Sequence, residues 1–224
     1  MALILLARAF DTSLQNMLVA PVTVFVLDGQ GIAASNSPQT LQIAQRDSCT
    51  PVGSTVLLAC YQALRRDLDT LRSDEQQVTG IAVTEEWNPA FLLKLASLYP
   101  GNAIVENTHL VLLQLLRWAA NTTLMVASDI SEHTDSSSFV GFSSGILAAT
   151  AIACARDIPT FVQHAVSIFR LSFWIGLRAQ QYSSQAVAGL PIGDVSATWN
   201  LVTFGSTRSE IEEALTAFTM EQVH

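Results

Sequence analysis

From Ser136 to Ala155 the chain runs twenty residues without a charge, and one serine in that run is flanked by glycines: Gly141-Phe142-Ser143-Ser144-Gly145. Upstream, "SFVGF" is short, aromatic and β-branched, as a strand requires; downstream, "GILAATAIACA" is apolar throughout, as a buried helix requires. Five serines precede Gly145, and the apolar part is about half a membrane span, so the run is read as part of a protein interior rather than as a membrane helix. Two readings of Ser143 remain open. It is either the start of a buried helix or a nucleophile lifted on a strand-to-helix turn. In the second case the following helix supplies a positive dipole end and unpaired N–H groups for a developing oxyanion.

Composition narrows the function. In 224 residues there are 11 basic and 19 acidic side chains, giving a formal net charge of −8, with Lys94 the single lysine. Half the residues are hydrophobic, enough for a sizeable core of one large or two small domains. The scarce, scattered cations argue against nucleic acid as a partner, and the acidic balance argues against an anionic membrane surface. Cys49, Cys60 and Cys154 are odd in number and far apart, so neither a disulfide framework nor a zinc site is expected, and reduced thiols in a cytoplasmic protein are. "MALILLARAF" has no basic region before its apolar residues and is broken by Arg8, so a secretory signal is not expected. The sequon at Asn121 is then incidental.

Along the chain, Val22 to Leu27 reads as a strand closed by the turn Asp28-Gly29-Gln30-Gly31. "GIAASNSPQTLQIAQRDSCTPVG", with Pro38 and Pro51, reads as a loop with at most a short helix. "STVLLACYQALRRDLDTL" is a helix with Ser54 as its N-cap, and Arg65, Arg66, Asp67 and Asp69 form a solvated face. "NPAFLLKLASLYPGN" and "NAIVENTHLVLLQLLRWAANTT" are two more helices, the second apolar nearly all round, where His109 reads as a core residue. His133 falls on the polar linker "ASDISEHTDSS". A long helix begins near Pro159 and carries His164. After Gly189, Pro191 and Gly193 come a strand, "ATWNLVTFG", and a helix, "TRSEIEEALTAFTMEQ". The order is that of an α/β core with a second small α+β element.

The turn at Gln30 and the glycine-flanked Ser143, about a hundred residues apart, together resemble the malonyl-CoA:acyl-carrier-protein transacylase fold. "LLACYQALRRDLDTL", "THLVLLQLLRWA", "FVGFSSGILAATAIACARDIPTFVQHAVSIFRLSFWIGLRAQ" and "ATWNLVTFGSTRSEIEEALTAF" are similar to the starter-unit:acyl-carrier-protein transacylase domain of fungal non-reducing polyketide synthases. The resemblance implies an α/β acyltransferase core of α/β-hydrolase type over residues 22–195. Residues 1–21 are then an extension without counterpart, and residues 196–224 the start of an incomplete ferredoxin-like subdomain. It implies Ser143 as nucleophile, where most of these domains have cysteine, and an oxyanion hole from the backbone of Gln30 and Ser144. The implied partners are acyl-CoA or an acyl-carrier-protein thioester and the synthase's own carrier protein; no cofactor is expected.

Two further departures carry chemistry. Trp174 stands where malonyl transferases place an arginine for a free carboxylate, which suits an uncharged acyl chain, although Arg170 or Arg178 can take that place. The family's catalytic histidine follows the ferredoxin-like insertion, and this chain ends within that insertion. None of His109, His133, His164 or His224 matches its position, and His133 is the nearest substitute. A serine without a base is a poor nucleophile, so an impaired, truncated transacylase that acts as a polyketide synthase partner is one alternative. A serine hydrolase or thioesterase is another, although its acid and histidine must follow the serine.

Overall fold

A computed structural model describes residues 3–5, 23–27, 37–82, 87–124 and 137–188. The elements are β1 (Leu3–Leu5), β2 (Thr23–Leu27), α1 (Pro38–Ser48), α2 (Pro51–Asp69), α3 (Ser73–Thr79), a 3-10 helix (Pro89–Lys94), α4 (Leu95–Leu98), α5 (Ala103–Leu124), β3 (Ser137–Gly141), α6 (Gly145–Ala153) and α7 (Ile158–Ala188). Most of these residues are helical around a small sheet of order β1-β2-β3, an arrangement compatible with the α/β class. By contacts the chain divides into two units, Met1–Gln185 and Ala186–His224. The strand and helix expected after Gly193 lie outside the described residues.

The sheet is set by one parallel pair. β2 runs alongside β3 with Phe25 opposite Phe139 and Leu27 opposite Gly141, while β1 pairs antiparallel with β2. β1 falls within the segment expected to have no counterpart, so part of that extension pairs into the sheet. Phe25 and Phe139 stack at 5.2 Å, and Trp118 of α5 meets both edge-on at 5.0 and 5.3 Å. Edge-to-face contact of this kind adds about 1 kcal/mol per pair beyond burial. It fastens the sheet to the central helix.

Prolines open the helices more often than the sequence reading allowed. The stretch read as a loop contains α1, eleven residues long, with Pro38 in its first turn and the Ser37 hydroxyl accepting from the Thr40 amide at 3.1 Å. Pro51 opens α2 in the same way, and its cap is Thr50 rather than Ser54, accepting from the Gly53 amide at 3.1 Å. Proline loses nothing at that position, because its missing N–H has no intrahelical partner there. Ser54 instead lies inside the helix, donating back to the Pro51 carbonyl. α3 is an element the reading passed over, ended by Gly80 at φ 61°. The expected helix after Asn88 is split into the 3-10 segment and α4.

α5 starts from Asn102, whose side-chain oxygen accepts from the Ile104 and Val105 amides. α7 buries Phe161, Ala165, Phe169, Phe173 and Leu177, a stripe at four-residue spacing. At Gly176 the two helices come close, since a Cβ there would lie 3.0 Å from the Ile104 Cα. The Asn107 amide donates to the Ser172 carbonyl across the same seam. The core is therefore one continuous cluster of α1, α2, α5, α6 and α7 side chains, reaching Leu27 at the end of β2. Among the described residues no helix is long and apolar enough to cross a membrane.

Candidate active site

β3 ends at Gly141 because no other residue fits. A Cβ there would lie 2.5 Å from the Gly145 carbonyl oxygen and from the Ile146 N and Cα, so the strand and the start of α6 touch backbone to backbone. The Phe142 amide donates to the Leu27 carbonyl at 2.9 Å, which holds the turn against the end of β2. Ser143 then adopts φ 51°, the only positive φ on a non-glycine residue among those described. Such a conformation costs an L-residue about 1–2 kcal/mol. The turn closes through Gly145 N–H to Phe142 O at 2.8 Å and Ile146 N–H to Ser143 O at 3.1 Å, and α6 runs on into the core.

Ser143 is exposed on a strained strand-to-helix turn, and the helix after it is buried along Ala148, Ala149, Ala151 and Ile152. Near Ser143 in sequence, Phe142 and Ile146 are 59% and 54% exposed, and Val140 is also open. Ser144 follows in helical conformation, at φ −61° and ψ −21°. Gln30, expected to give the second oxyanion donor, lies outside the described residues, as do His133 and His224.

The two described histidines do not serve Ser143. His109 is buried on α5, where its Nε2–H donates to the Leu93 carbonyl at 3.1 Å, and burial lowers its pKa in favour of the neutral ring. That agrees with its reading as a core residue. His164, on α7, has an Nδ1 closed off from solvent without a hydrogen-bond partner.

Neither arginine proposed as a carboxylate receptor is free. Arg170 grips Asp67 with two bonds, Nε to Oδ2 at 2.8 Å and Nη2 to Oδ1 at 2.6 Å. Arg178 donates from Nη1 to Glu75 Oε1 and to Gln181 Oε1, both at 2.6 Å, with its guanidinium 5.3 Å above the Trp174 ring. Glu75 is held further by the Arg72 backbone N–H and side chain, and these bonds, the backbone one foremost, keep its pKa below the ordinary carboxylate value. Asp67 had been read as part of a solvated face, yet it is 3% exposed. The missed signal was its place on the apolar stripe of α2, three residues after Leu64 and four before Leu71.

The model for the family described as "starter unit:ACP transacylase in aflatoxin biosynthesis" matches residues 38–223. This chain belongs to that family. The transacylase match takes in the whole of the Ser143 turn and α7, and begins after β2 and Gln30. Over 204 residues the chain is 31% identical to orsellinic acid synthase ArmB of Armillaria ostoyae and, equally, to orsellinic acid synthase armB of Armillaria mellea. Each alignment covers 88% of the chain and 9% of the synthase. Clavatol synthase claF of Penicillium crustosum is 28% identical over 128 residues, 54% of the chain and 5% of that protein. The chain thus spans about a tenth of the length of the first relatives it matches.

Proposed function

We propose that this chain is a starter-unit acyltransferase of fungal polyketide biosynthesis, passing an acyl group between thioester carriers by way of an acyl-Ser143 ester. The observation that carries the reading is the backbone of Ser143, held at φ 51° between a strand and a buried helix. Positive φ on a residue that is neither glycine nor asparagine persists where the surroundings enforce it, and here they aim a hydroxyl outward. In the forward step the Ser143 oxygen attacks the thioester carbonyl carbon and its proton passes through a base to the departing sulfur. The carbonyl oxygen, briefly an anion, is received by the Ser144 N–H at the positive end of α6 and by the Gln30 N–H. The core is of malonyl-transacylase type over residues 22–195, with residues 196–224 belonging to a ferredoxin-like subdomain.

An uncharged acyl chain fits best. Arg170 and Arg178 are neutralised by buried carboxylates, and the side chains beside Ser143 are Val140, Phe142 and Ile146. The donor is an acyl-CoA or a carrier-protein thioester and the acceptor a polyketide synthase carrier protein. Family membership favours transfer over hydrolysis. Incubation with an acetyl-N-acetylcysteamine thioester followed by peptide mass spectrometry is expected to place an acetyl adduct on Ser143, absent from Ser143→Ala. Identical spectra from the two proteins would overturn this reading.

A second reading rests on the histidines. Neither His109 nor His164 hydrogen-bonds Ser143, and removing the base of a comparable serine enzyme lowers turnover about a millionfold. On that reading the chain is a catalytically impaired partner of a polyketide synthase. Carrier-protein binding that survives Ser143→Ala, without any adduct on the wild type, would favour it.

A further inference from the structure

Ser144 carries two hydrogen-bond donors that no described group receives. Its backbone N–H precedes the first intrahelical bonds of α6, and no acceptor faces it among the described residues. Its hydroxyl is closed off from solvent and likewise has no partner. The hydroxyl does not cap its own helix. A capping serine needs an extended backbone to reach the amides of the next turn, and at φ −61° and ψ −21° Ser144 is already helical.

An unpartnered buried hydroxyl costs about 1–3 kcal/mol. Here that cost falls on the residue after a strained serine, in a turn where three backbone N–H groups are bonded: Phe142 N–H to Leu27 O, Gly145 N–H to Phe142 O, Ile146 N–H to Ser143 O. A substrate that opened the turn enough for its carbonyl oxygen to reach this hydroxyl would relieve it. At the first turn of a helix, the N–H and side-chain hydroxyl of one serine are near enough to converge on one anionic oxygen, in the field of the helix dipole.

We propose that the Ser144 hydroxyl is a catalytic oxyanion donor, acting beside the N–H of its own residue. The assignment rests on Ser143 as nucleophile. When the Ser143 oxygen bonds to the thioester carbon, the carbonyl π pair moves onto oxygen, and the Ser144 O–H and N–H both donate to it. When the pair returns, the carbon–sulfur bond breaks, the thiolate takes up the proton that left Ser143, and the ester remains. Ser144 is chemically unchanged, and its hydroxyl is satisfied only while the anion exists. A donor used only then lowers the barrier without tightening ground-state binding.

The test compares wild type, Ser144→Ala and Ser144→Thr as full chains. Each is treated with a fluorophosphonate, whose phosphoryl oxygen takes the oxyanion position, and with acetyl-N-acetylcysteamine thioester, and modification of Ser143 is timed by mass spectrometry. Ser144→Ala is expected to slow both reactions about 10- to 100-fold, with the concentration giving half-maximal rate unchanged. Ser144→Thr, which keeps the hydroxyl, is expected to recover most of the loss. The melting temperature of Ser144→Ala should equal or exceed that of wild type, since an unpaired hydroxyl has been removed. Wild-type rates in Ser144→Ala, no recovery in Ser144→Thr, or a Ser144→Ala protein that melts earlier or fails to fold would each overturn the assignment. If the wild type is itself unmodified, the nucleophile reading falls and takes this one with it, an outcome distinct from equal, measurable rates in wild type and Ser144→Ala.

Discussion

At the tip of β3 a serine stands at φ 51° beside a hydroxyl with no partner, whereas along α7 two buried carboxylates are each gripped by an arginine that reaches them from solvent. The two regions share one hydrophobic core, since α6 and α7 both contribute to it. They differ in where polar groups find their partners. In the helical half, Asp67 and Glu75 are satisfied from within the chain. At the turn, Ser143 is exposed and the Ser144 hydroxyl has no hydrogen-bond partner. A strained backbone marks the serine turn, and two arginine–carboxylate pairs mark the helical half.

The sharpest way to break the scaffold is to strand a carboxylate. Arg170→Ala leaves the buried Asp67 without its two donors and should cost about 3 kcal/mol, read as a lower urea midpoint. Asp67→Asn should cost less, about 1 kcal/mol, because the half-exposed arginine it abandons can turn to water. Equal losses from the two would remove the asymmetry on which the comparison rests.

Next comes Gly141→Ala, which pushes a methyl into backbone at 2.5 Å. A loss of about 2 kcal/mol is expected, together with loss of any Ser143 modification, because the turn cannot close around the added atom. Ser143→Gly should act in the opposite sense on stability. Glycine accepts positive φ freely, so a gain of about 1 kcal/mol is expected, visible as a higher melting temperature in a protein that no longer forms an adduct. Were Ser143→Gly less stable than wild type, the turn would hold no strain to release.

The gentlest probe is pH at Glu75. Its pKa is lower folded than unfolded, so its contribution is full above the unfolded value near 4.5 and is lost as pH falls through the lower folded value. Melting temperatures of wild type and Glu75→Gln should therefore differ most near neutrality and converge in acid. A constant gap across that range would mean that packing, not charge, is what Glu75 contributes.

The serine turn is the more legible of the two regions. Strand, glycine-flanked serine and apolar helix are neighbours in sequence, and Gly141 announces its tight approach by being glycine. Asp67 and Arg170 are 103 residues apart, and nothing in the local spacing of "RRDLD" separates a buried acid from the solvated ones beside it except its register with Leu64 and Leu68. α1 was misread for a different reason. The two prolines resemble loop signals, although Pro38 follows Ser37 and Pro51 follows Thr50, each pair placing a cap before a first-turn proline. The second oxyanion donor, assigned to the Gln30 N–H, follows from the strand-end turn and the family resemblance and not from any described contact.

Trp118 also gives the molecule an optical reporter. Its indole sits edge-on to Phe25 and Phe139, the residues that face each other across the parallel strand pair, and its ring nitrogen has no acceptor. An indole so enclosed emits toward the blue and gives a sharp near-ultraviolet circular dichroism band. Parting of the strands that carry the serine turn would shift the emission and flatten the band, whereas loosening of α7 would register first at Trp174 beneath Arg178. With phenylalanine at Trp87, at Trp199 and at either Trp118 or Trp174, the sheet seam and α7 can be followed separately by light alone.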